Sequence, residues 1–240
     1  RVKVITNAGG MNPAAAARVA TETARDLGIT GLRIATVLGD DLFGRLDELH
    51  AATASQLKHL DTGAEFHSAQ GDPRFFAAYL GARPIVEALD AGADIVITGR
   101  VADAALFLAP LIHEFGWAWD DWDRLAAGAL VGHLLECSGQ TAGGNFSGDW
   151  SSIPEPWILP YPIAEVEADG TAIITKPIKS GGRVDFDTVR HQLLYEVADP
   201  SSYMHPDVVA DFTTAQFEDL GEDRVRITGV SGKPATPTYK

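Results

Sequence analysis

Short β-branched runs, small-residue loops and amphipathic helices follow one another in the first half of the chain. Residues 94–98 form a run that is typical of a strand buried on both faces, and apolar residues recur at helical spacing over 101–115. The chain opens in the same way, with a strand predicted over 2–6 and an alanine-rich helix over 13–27 that has proline in its first turn. The pattern therefore predicts repeated strand–loop–helix units.

Further elements of the same kind lie between these two units. Residues 32–37 are a second candidate for a buried strand, and a helix is predicted over 42–60. Residues 74–92 also have a helical pattern, in which a new helix begins at Arg83-Pro84. Because buried strands that alternate with helices are typical of parallel sheets covered on both faces, we expect a Rossmann-like, three-layer α/β domain over 1–152 that binds a ligand.

The pattern changes after Trp150, where a proline-rich stretch begins. The elements predicted beyond it are strands over 163–166, 172–175, 208–212 and 225–228 and a helix over 187–195, with a hairpin signal at Asp169-Gly170. We therefore expect a smaller α+β domain over 153–240. Because the chain opens directly into one strand and stops within another, we also expect this domain to be truncated.

Composition and charge narrow the class of protein. Among 240 residues 45% are hydrophobic, which is enough for a folded core. The net charge of −14 repels phosphate backbones and anionic membranes, so we expect neither nucleic acid nor membrane as a partner. The single cysteine excludes an internal disulfide, and we find no signal peptide and no apolar run long enough to span a bilayer. These features together predict a cytoplasmic protein.

Polar and small residues follow each of the three predicted parallel strands. In a parallel sheet the carboxyl ends of the strands share one edge, where helix N–H groups and loops converge on ligands. We therefore assign the following residues to substrate binding: Asn7, Gly9, Gly10 and Asn12 after the first strand, Gly39, Asp40 and Asp41 after the second, and Thr98, Gly99 and Arg100 after the third. Asp40 or Asp41 serves equally well as a helix cap. A metal-dependent alternative rests on Asp40, Asp41 and Asp103, but we assign no metal ligands.

A second group of polar residues ends the helix predicted over 123–139. His133, Glu136, Cys137 and Gln140 are spaced by three or four residues and share one helical face. The loop that follows is dense in glycine, so its backbone can approach a ligand closely. From this loop we assign Gln140, Thr141, Gly143, Gly144 and Asn145 to substrate binding. A flexible connector between domains is the alternative.

Five residues are candidates for catalysis: Asp103, His133, Glu136, Cys137 and Asp149. Cys137 and His133 are spaced as a nucleophile–base pair, although a lone cysteine on a helix is more often a small buried apolar group. Glu136 or Asp149 as a general base, and His133 as acid or base, are more generic assignments. The chain has no G-x-G-x-x-G, no phosphate-loop lysine motif and no serine nucleophile elbow, which disfavours an ordinary NAD enzyme or NTPase. An acyl thioester suits the loops, whose backbone N–H groups can hold phosphates or an oxyanion.

Several segments, taken together and in order, resemble the N-terminal region of the acyclic terpene utilisation (AtuA-like) family. These segments are Thr6-Asn-Ala-Gly-Gly-Met-Asn-Pro13, Gly39-Asp-Asp-Leu42, Tyr79-Leu-Gly-Ala-Arg-Pro-Ile-Val-Glu-Ala-Leu89, Gly92-Ala-Asp-Ile-Val-Ile-Thr-Gly-Arg-Val-Ala-Asp103 and Glu136-Cys-Ser-Gly-Gln-Thr-Ala-Gly-Gly-Asn-Phe146. The resemblance covers essentially the whole chain. It implies a role in the breakdown of acyclic terpenes such as citronellol and geraniol, which proceeds through branched acyl-CoA thioesters.

From the residues and the resemblance we expect an enzyme that acts on a branched acyl-CoA in a hydratase- or lyase-like reaction. The CoA thioester is the expected substrate, no cofactor is assigned, and the chain is expected to form a homo-oligomer or to be a subunit of a larger complex. The alternative is a non-catalytic subunit or scaffold of an acyl-CoA-processing complex. The enzymatic hypothesis requires that the loops at 7–12, 98–103 and 139–149 surround one shared hollow.

Overall fold

The computed structural model describes residues 2–53, 58–59, 62–65 and 74–238. Its helices are α1 (Pro13–Asp26), α2 (Leu46–Thr53), α3 (Arg83–Asp90), α4 (Ala105–Phe115), α5 (Trp122–Glu136) and α6 (Phe186–Leu194). Its strands are β1 (Val4–Thr6), β2 (Ile34–Val37), β3 (Ile95–Thr98), β4 (Ile163–Val166), β5 (Ala172–Thr175), β6 (Tyr203–His205), β7 (Val208–Asp211), β8 (Gln216–Gly221), β9 (Arg224–Thr228) and β10 (Ser231–Lys233). Part of the helix predicted over 42–60 lies outside the described residues.

The prediction of a Rossmann-like, three-layer parallel sheet is wrong. Over the described residues the strands form three small separate sheets, and two of these are antiparallel. The parallel sheet has the order β1-β3-β2, with Ile5 and Ala35 both opposite Val96. After β3 the chain does not return as a fourth parallel strand, because it enters α4 and α5, which pack on each other.

One segment shows why the sequence pattern misled the prediction. The sequence pattern predicts a helix over 74–92, but the described chain forms no helix at 74–82, and α3 begins at Arg83. Within it, Ala77 bridges to Asp41 and Leu80 bridges to Val101. These backbone contacts are long-range, so local periodicity carries no signal for them.

The second half of the chain is antiparallel. The hairpin expected around Asp169-Gly170 is present as β4 and β5, and it continues into the sheet β4-β5-β9-β8. The other antiparallel sheet has the order β10-β7-β6. Asp185 is the N-cap of α6. Its carboxylate accepts a hydrogen bond from Thr188 N at 2.9 Å, and the Thr188 hydroxyl accepts one from Asp185 N, which forms a capping box.

Helix α5 joins the two halves. It packs against α4, α6, β7 and β10, and its residues 125–126 and 128–134 are all buried. Because α5 is buried over most of its length, its apolar residues belong to a single core that also includes Ile85, Ile174 and Ile227. Because this core spans both halves, they pack as one body, and the division into domains at 152–153 stays a prediction.

Two close contacts fix this arrangement. Gly132 on α5 lies against the backbone of Ala104, where an added Cβ would be 2.6 Å from the carbonyl oxygen. Asp207, after β6, accepts a 2.6 Å hydrogen bond from Ala82 N, at the start of α3. The first contact fixes α5, and the second fixes the start of the antiparallel half, against segments that flank the parallel sheet.

Within the described ranges, no helix is both long and apolar enough to cross a bilayer.

Replacing Gly132 with alanine tests the approach of α5 to Ala104. The methyl group must displace backbone atoms, which costs about 1–3 kcal/mol in a packed core and outweighs the helix propensity that alanine adds. We expect urea unfolding to give a lower free energy of unfolding for Gly132→Ala. Gly44→Ala is the matched control, since an added Cβ there meets nothing within 4 Å. Equal stability of Gly132→Ala and the wild type would show that the contact is not tight.

Candidate functional site

The loops after the three parallel strands adjoin one another. Gly9 is buried against the end of β3, where an added Cβ would collide with the carbonyl oxygen of Thr98. Asp40, after β2, accepts a 2.6 Å hydrogen bond from Arg100 N and fills the space over Gly99. The residues assigned to these loops are thus brought to one rim of the parallel sheet.

Several of these residues have local structural tasks. Asn12 caps α1 by accepting a 3.0 Å hydrogen bond from Ala15 N. Asp41 accepts a hydrogen bond from Phe43 N at 2.9 Å within a local turn, but the short helix over Phe43–Arg45 has Leu42 as its N-cap and no side-chain cap, so the capping alternative does not describe Asp41. Thr98 is fully buried, and its hydroxyl donates to Gly99 O. Gly10 and Gly39 have positive φ angles of 52° and 109°, which shape the turns of the rim.

Other polar side chains at this rim are exposed. Asn7 is exposed at the end of β1, and Asp103 is exposed at the start of the turn before α4. Arg100 is also exposed, with its guanidinium 5.2 Å from the ring centroid of Tyr79. These groups are available to a ligand, whereas Asp40 is committed to the backbone of Arg100.

The C-terminal end of α5 carries a buried polar cluster. His133 is 1% exposed, with Nδ1 3.1 Å from Glu136 Oε1 and Nε2 3.1 Å from the carbonyl oxygen of Leu193. A carbonyl oxygen can only accept, so His133 Nε2 is the donor in the hydrogen bond to Leu193.

Several polar atoms near this end lack hydrogen-bond partners among the described residues. Gln192 on α6 is fully buried and donates from Nε2 to His133 O at 2.8 Å, but its Oε1 has no partner. Glu136 Oε2 and Gln140 Nε2 are buried without partners as well. Buried polar groups are nearly always paired in folded proteins, and exceptions gather where a water or a ligand binds.

Tyr203 and Cys137 complete the cluster, and both remain protonated at neutral pH. The Tyr203 ring stacks on Phe212 at 4.6 Å and lies 5.4 Å from the ring of His133. Burial raises the pKa of the Tyr203 phenol well above its usual value, and the carboxylates of Glu136 and Asp103 raise it further. Burial likewise raises the pKa of the Cys137 thiol, partly offset by a hydrogen bond from Gln192, while Glu136, Glu196 and Asp103 add to the rise.

Four of the five catalytic candidates are linked by these interactions, since His133 contacts Glu136, and the carboxylates of Glu136 and Asp103 raise the pKa of Cys137. Both ring nitrogens of His133 are already engaged, so neither is free to activate Cys137. Because the Cys137 thiol has a raised pKa and His133 has no free nitrogen to deprotonate it, the geometry disfavours Cys137 and His133 as a nucleophile–base pair. It favours Glu136, whose second carboxylate oxygen is buried and unpaired.

Three residues near this cluster were not predicted from the sequence: Gln192, Glu196 and Tyr203. Gln192 had a detectable signal, because it shares the buried face of α6 with Thr188, Val189 and Leu193 at spacings of three and four residues. Tyr203 had none, since its partners His133 and Phe212 reach it only through the tertiary fold.

The glycine-rich loop after α5 folds back on itself. The buried Thr141 hydroxyl donates to Leu134 O, and Gly144 N donates to Gly139 O at 2.9 Å. Gly143 lies against Ile153, and Arg183 N donates to Ala142 O at 3.0 Å. These bonds do not fit a flexible connector, and they fix the loop against the second half of the chain.

Asn145 and Asp149 lie at the exposed end of this loop. Asn145 has a positive φ of 58°. Asp149 accepts a 2.6 Å hydrogen bond from the Ser151 hydroxyl, which lowers the pKa of its carboxyl. Asp149 also lines a groove of about 440 Å³, whose other walls are Phe146, Ser147, Gly148, Arg183, Asp187, Arg190, His191 and Leu194. The catalytic candidate Asp149 is thus placed with residues of α6 rather than with His133 and Glu136.

No group of three or more His, Cys, Asp or Glu side chains within the described residues is arranged to hold a metal ion. In the metal-dependent alternative, Asp40 and Asp41 already accept hydrogen bonds from backbone N–H groups. The arrangement can instead hold a water or a polar ligand group between carboxylates, an amide and a phenol.

Alkylation of Cys137, the single cysteine of the chain, tests the electrostatics of this cluster. Because the thiolate is the reacting form, a raised pKa lowers the rate at neutral pH. We expect the rate of reaction with iodoacetamide, followed against pH, to reach half its maximum above the pH found for the urea-unfolded chain. A half-maximum below that of the unfolded chain would restore Cys137 as a nucleophile.

Comparison with known proteins assigns the family. The model of the family described as "Acyclic terpene utilisation family protein AtuA" matches residues 1–240, the whole chain. No curated protein and no solved structure matches the chain. The resemblance carried by the rim loops and by the 136–146 segment is therefore confirmed, and the chain belongs to the AtuA family of acyclic terpene utilisation.

Proposed function

We propose that this protein is an enzyme of acyclic terpene catabolism that acts on a branched acyl-CoA. It adds water to a carbon–carbon double bond of this substrate, or removes water to form the double bond. The family supports the pathway. The observation that carries the reaction is Glu136, whose Oε1 is held by buried His133 while its Oε2 is buried and has no partner among the described residues. A carboxylate oxygen in that state is suited to bind a water and take its proton.

The proposed step conserves its protons. Glu136 Oε2 accepts a hydrogen bond from the water and takes its proton as the oxygen bonds to the substrate carbon. The π electrons move toward the thioester carbonyl, and the proton on Glu136 then passes to the neighbouring carbon. The same path in reverse removes water.

Two further residues support this step without exchanging protons with the substrate. His133, fixed by Leu193 O and Glu136 Oε1, orients the carboxylate. Tyr203 keeps its proton because its pKa is raised, so its phenol can donate a hydrogen bond to the carbonyl oxygen where negative charge develops.

The rim of the parallel sheet is proposed to hold the thioester. Asp103 belongs to the last rim loop, and its carboxylate contributes to the raised pKa of both Cys137 and Tyr203, which supports a site that extends from the rim to the cluster. A protein of net charge −14 must bind CoA phosphates through local donors, and exposed Arg100 and the rim backbone offer them. We place this activity in the cytoplasm.

Glu136→Gln is the direct test. Glutamine can still donate a hydrogen bond to His133 Nδ1, so the fold should persist, but an amide cannot take a proton from water. We expect the turnover number to fall at least about 100-fold, the usual contribution of a general base. The assay follows CoA thioesters of acids derived from geraniol and citronellol by mass spectrometry, as the gain or loss of one water.

Glu165→Gln is the control, because Glu165 is exposed and its carboxylate pairs with the surface residue Arg224. Wild-type turnover by Glu136→Gln would remove Glu136 from the reaction. If the unmodified protein converts none of these thioesters, the enzymatic proposal fails and the non-catalytic subunit is favoured.

A further inference from the structure

A large apolar surface lies on the second half of the chain. Five side chains form what we call the aromatic face: Trp157, Ile158, Tyr161, Ile163 and Ile178. Trp157 is 77% exposed, Tyr161 76% and Ile178 91%, and the two remaining isoleucines are more than 40% exposed. Scattered exposed apolar residues are ordinary, but aromatic side chains of this exposure in one segment need a reason.

Backbone contacts tie together the segments that carry the aromatic face. Gly181 N donates to Ile158 O at 3.2 Å, and Gly182 N donates to Pro154 O at 2.7 Å, so the turn after Ile178 is tied to the segment that carries Trp157. Ile163 begins β4 and is paired with Thr175, three residues before Ile178. The five side chains therefore belong to one region of the surface.

The backbone of this region is also constrained. Prolines at 154, 156, 160 and 162 fix φ through the segment. Because the aromatic face is ordered before any contact, little conformational entropy is lost when a partner binds.

Charge and area identify the partner. We propose that the aromatic face pairs with the same face of a second copy of this chain. Two copies of a chain with net charge −14 repel each other, but residues 150–163 contain a single charged residue, Glu155, whereas 22% of the whole chain is charged. The nearby turn adds Lys179, whose charge is opposite to that of Glu155, and a two-fold axis can set the two residues opposite each other.

The exposed area matches the size of a dimer interface. From typical side-chain areas, the five residues expose on the order of 700 Å², close to the roughly 800 Å² that each partner buries in a standard interface. The largest apolar patch of a typical monomer is about 300–600 Å². This inference goes beyond the proposed reaction and does not depend on it.

The double variant Trp157→Ser/Tyr161→Ser tests the proposal. Both side chains are exposed, so removing them should leave the monomer folded, which circular dichroism and urea unfolding check. We expect the unmodified protein to sediment as a dimer at micromolar concentration and the double variant to have a dissociation constant at least about 100-fold higher, since central aromatic residues dominate such interfaces.

Leu27→Ser is the matched control, because Leu27 is 70% exposed but lies after α1, away from the aromatic face. It should dimerise like the unmodified protein. A monomeric unmodified protein at tens of micromolar, or a double variant that dimerises as tightly as Leu27→Ser, would overturn the proposal. Unchanged turnover in the double variant would leave the role of Glu136 intact, so the two proposals can fail separately.

Discussion

The absence of a side chain at Gly132 sets the geometry on which the candidate site depends. It lets α5 lie directly on the backbone of Ala104, at the residue after Asp103. Glu136 and Cys137 follow Gly132 by about one helical turn, so the same contact carries them toward Asp103 and the rim of the parallel sheet. The electrostatic influence of Asp103 on Cys137 and Tyr203 is the consequence. Packing and candidate chemistry thus rest on one helix contact.

Burying the His133–Glu136 pair costs desolvation free energy, and the hydrogen bonds formed within the protein offset only part of that cost. Charged and polar groups taken out of water are destabilising unless hydrogen bonds replace their hydration. His133 is satisfied on both nitrogens, but Glu136 Oε2 and Gln192 Oε1 are not satisfied by any described residue. A purely structural network would be expected to close these bonds, as Asp185 and Thr188 do at the start of α6. Open acceptors on both sides of a satisfied histidine are better explained by a water or ligand that belongs there.

The sequence predicted local elements well and long-range pairing poorly. Hydrophobic spacing identified α5 and α6 and the face shared by His133 and Glu136, because helical periodicity is a local property. Hydrophobic spacing failed at 74–82, where Leu80 forms a β-bridge with Val101. It also predicted too large a parallel sheet, because the pattern of a strand does not indicate which other strand it pairs with. The role of Asp41 was open from the sequence, and only the structure shows that its carboxylate accepts a hydrogen bond from Phe43 N in a local turn. Tyr203 could not have been found, since it joins the cluster only when β6 packs on α5.

The protonation states of the cluster decide which of its members can begin a reaction. A thiol and a phenol beside three carboxylates both keep their protons, so neither Cys137 nor Tyr203 can act as a base or anionic nucleophile at neutral pH. Both can donate hydrogen bonds. The groups that can accept a proton are the carboxylates, and among them Glu136 is the one with an oxygen held in a fixed direction by a buried histidine. A site with oriented carboxylate acceptors and neutral donors suits proton transfer to and from water, and it does not suit thiolate chemistry.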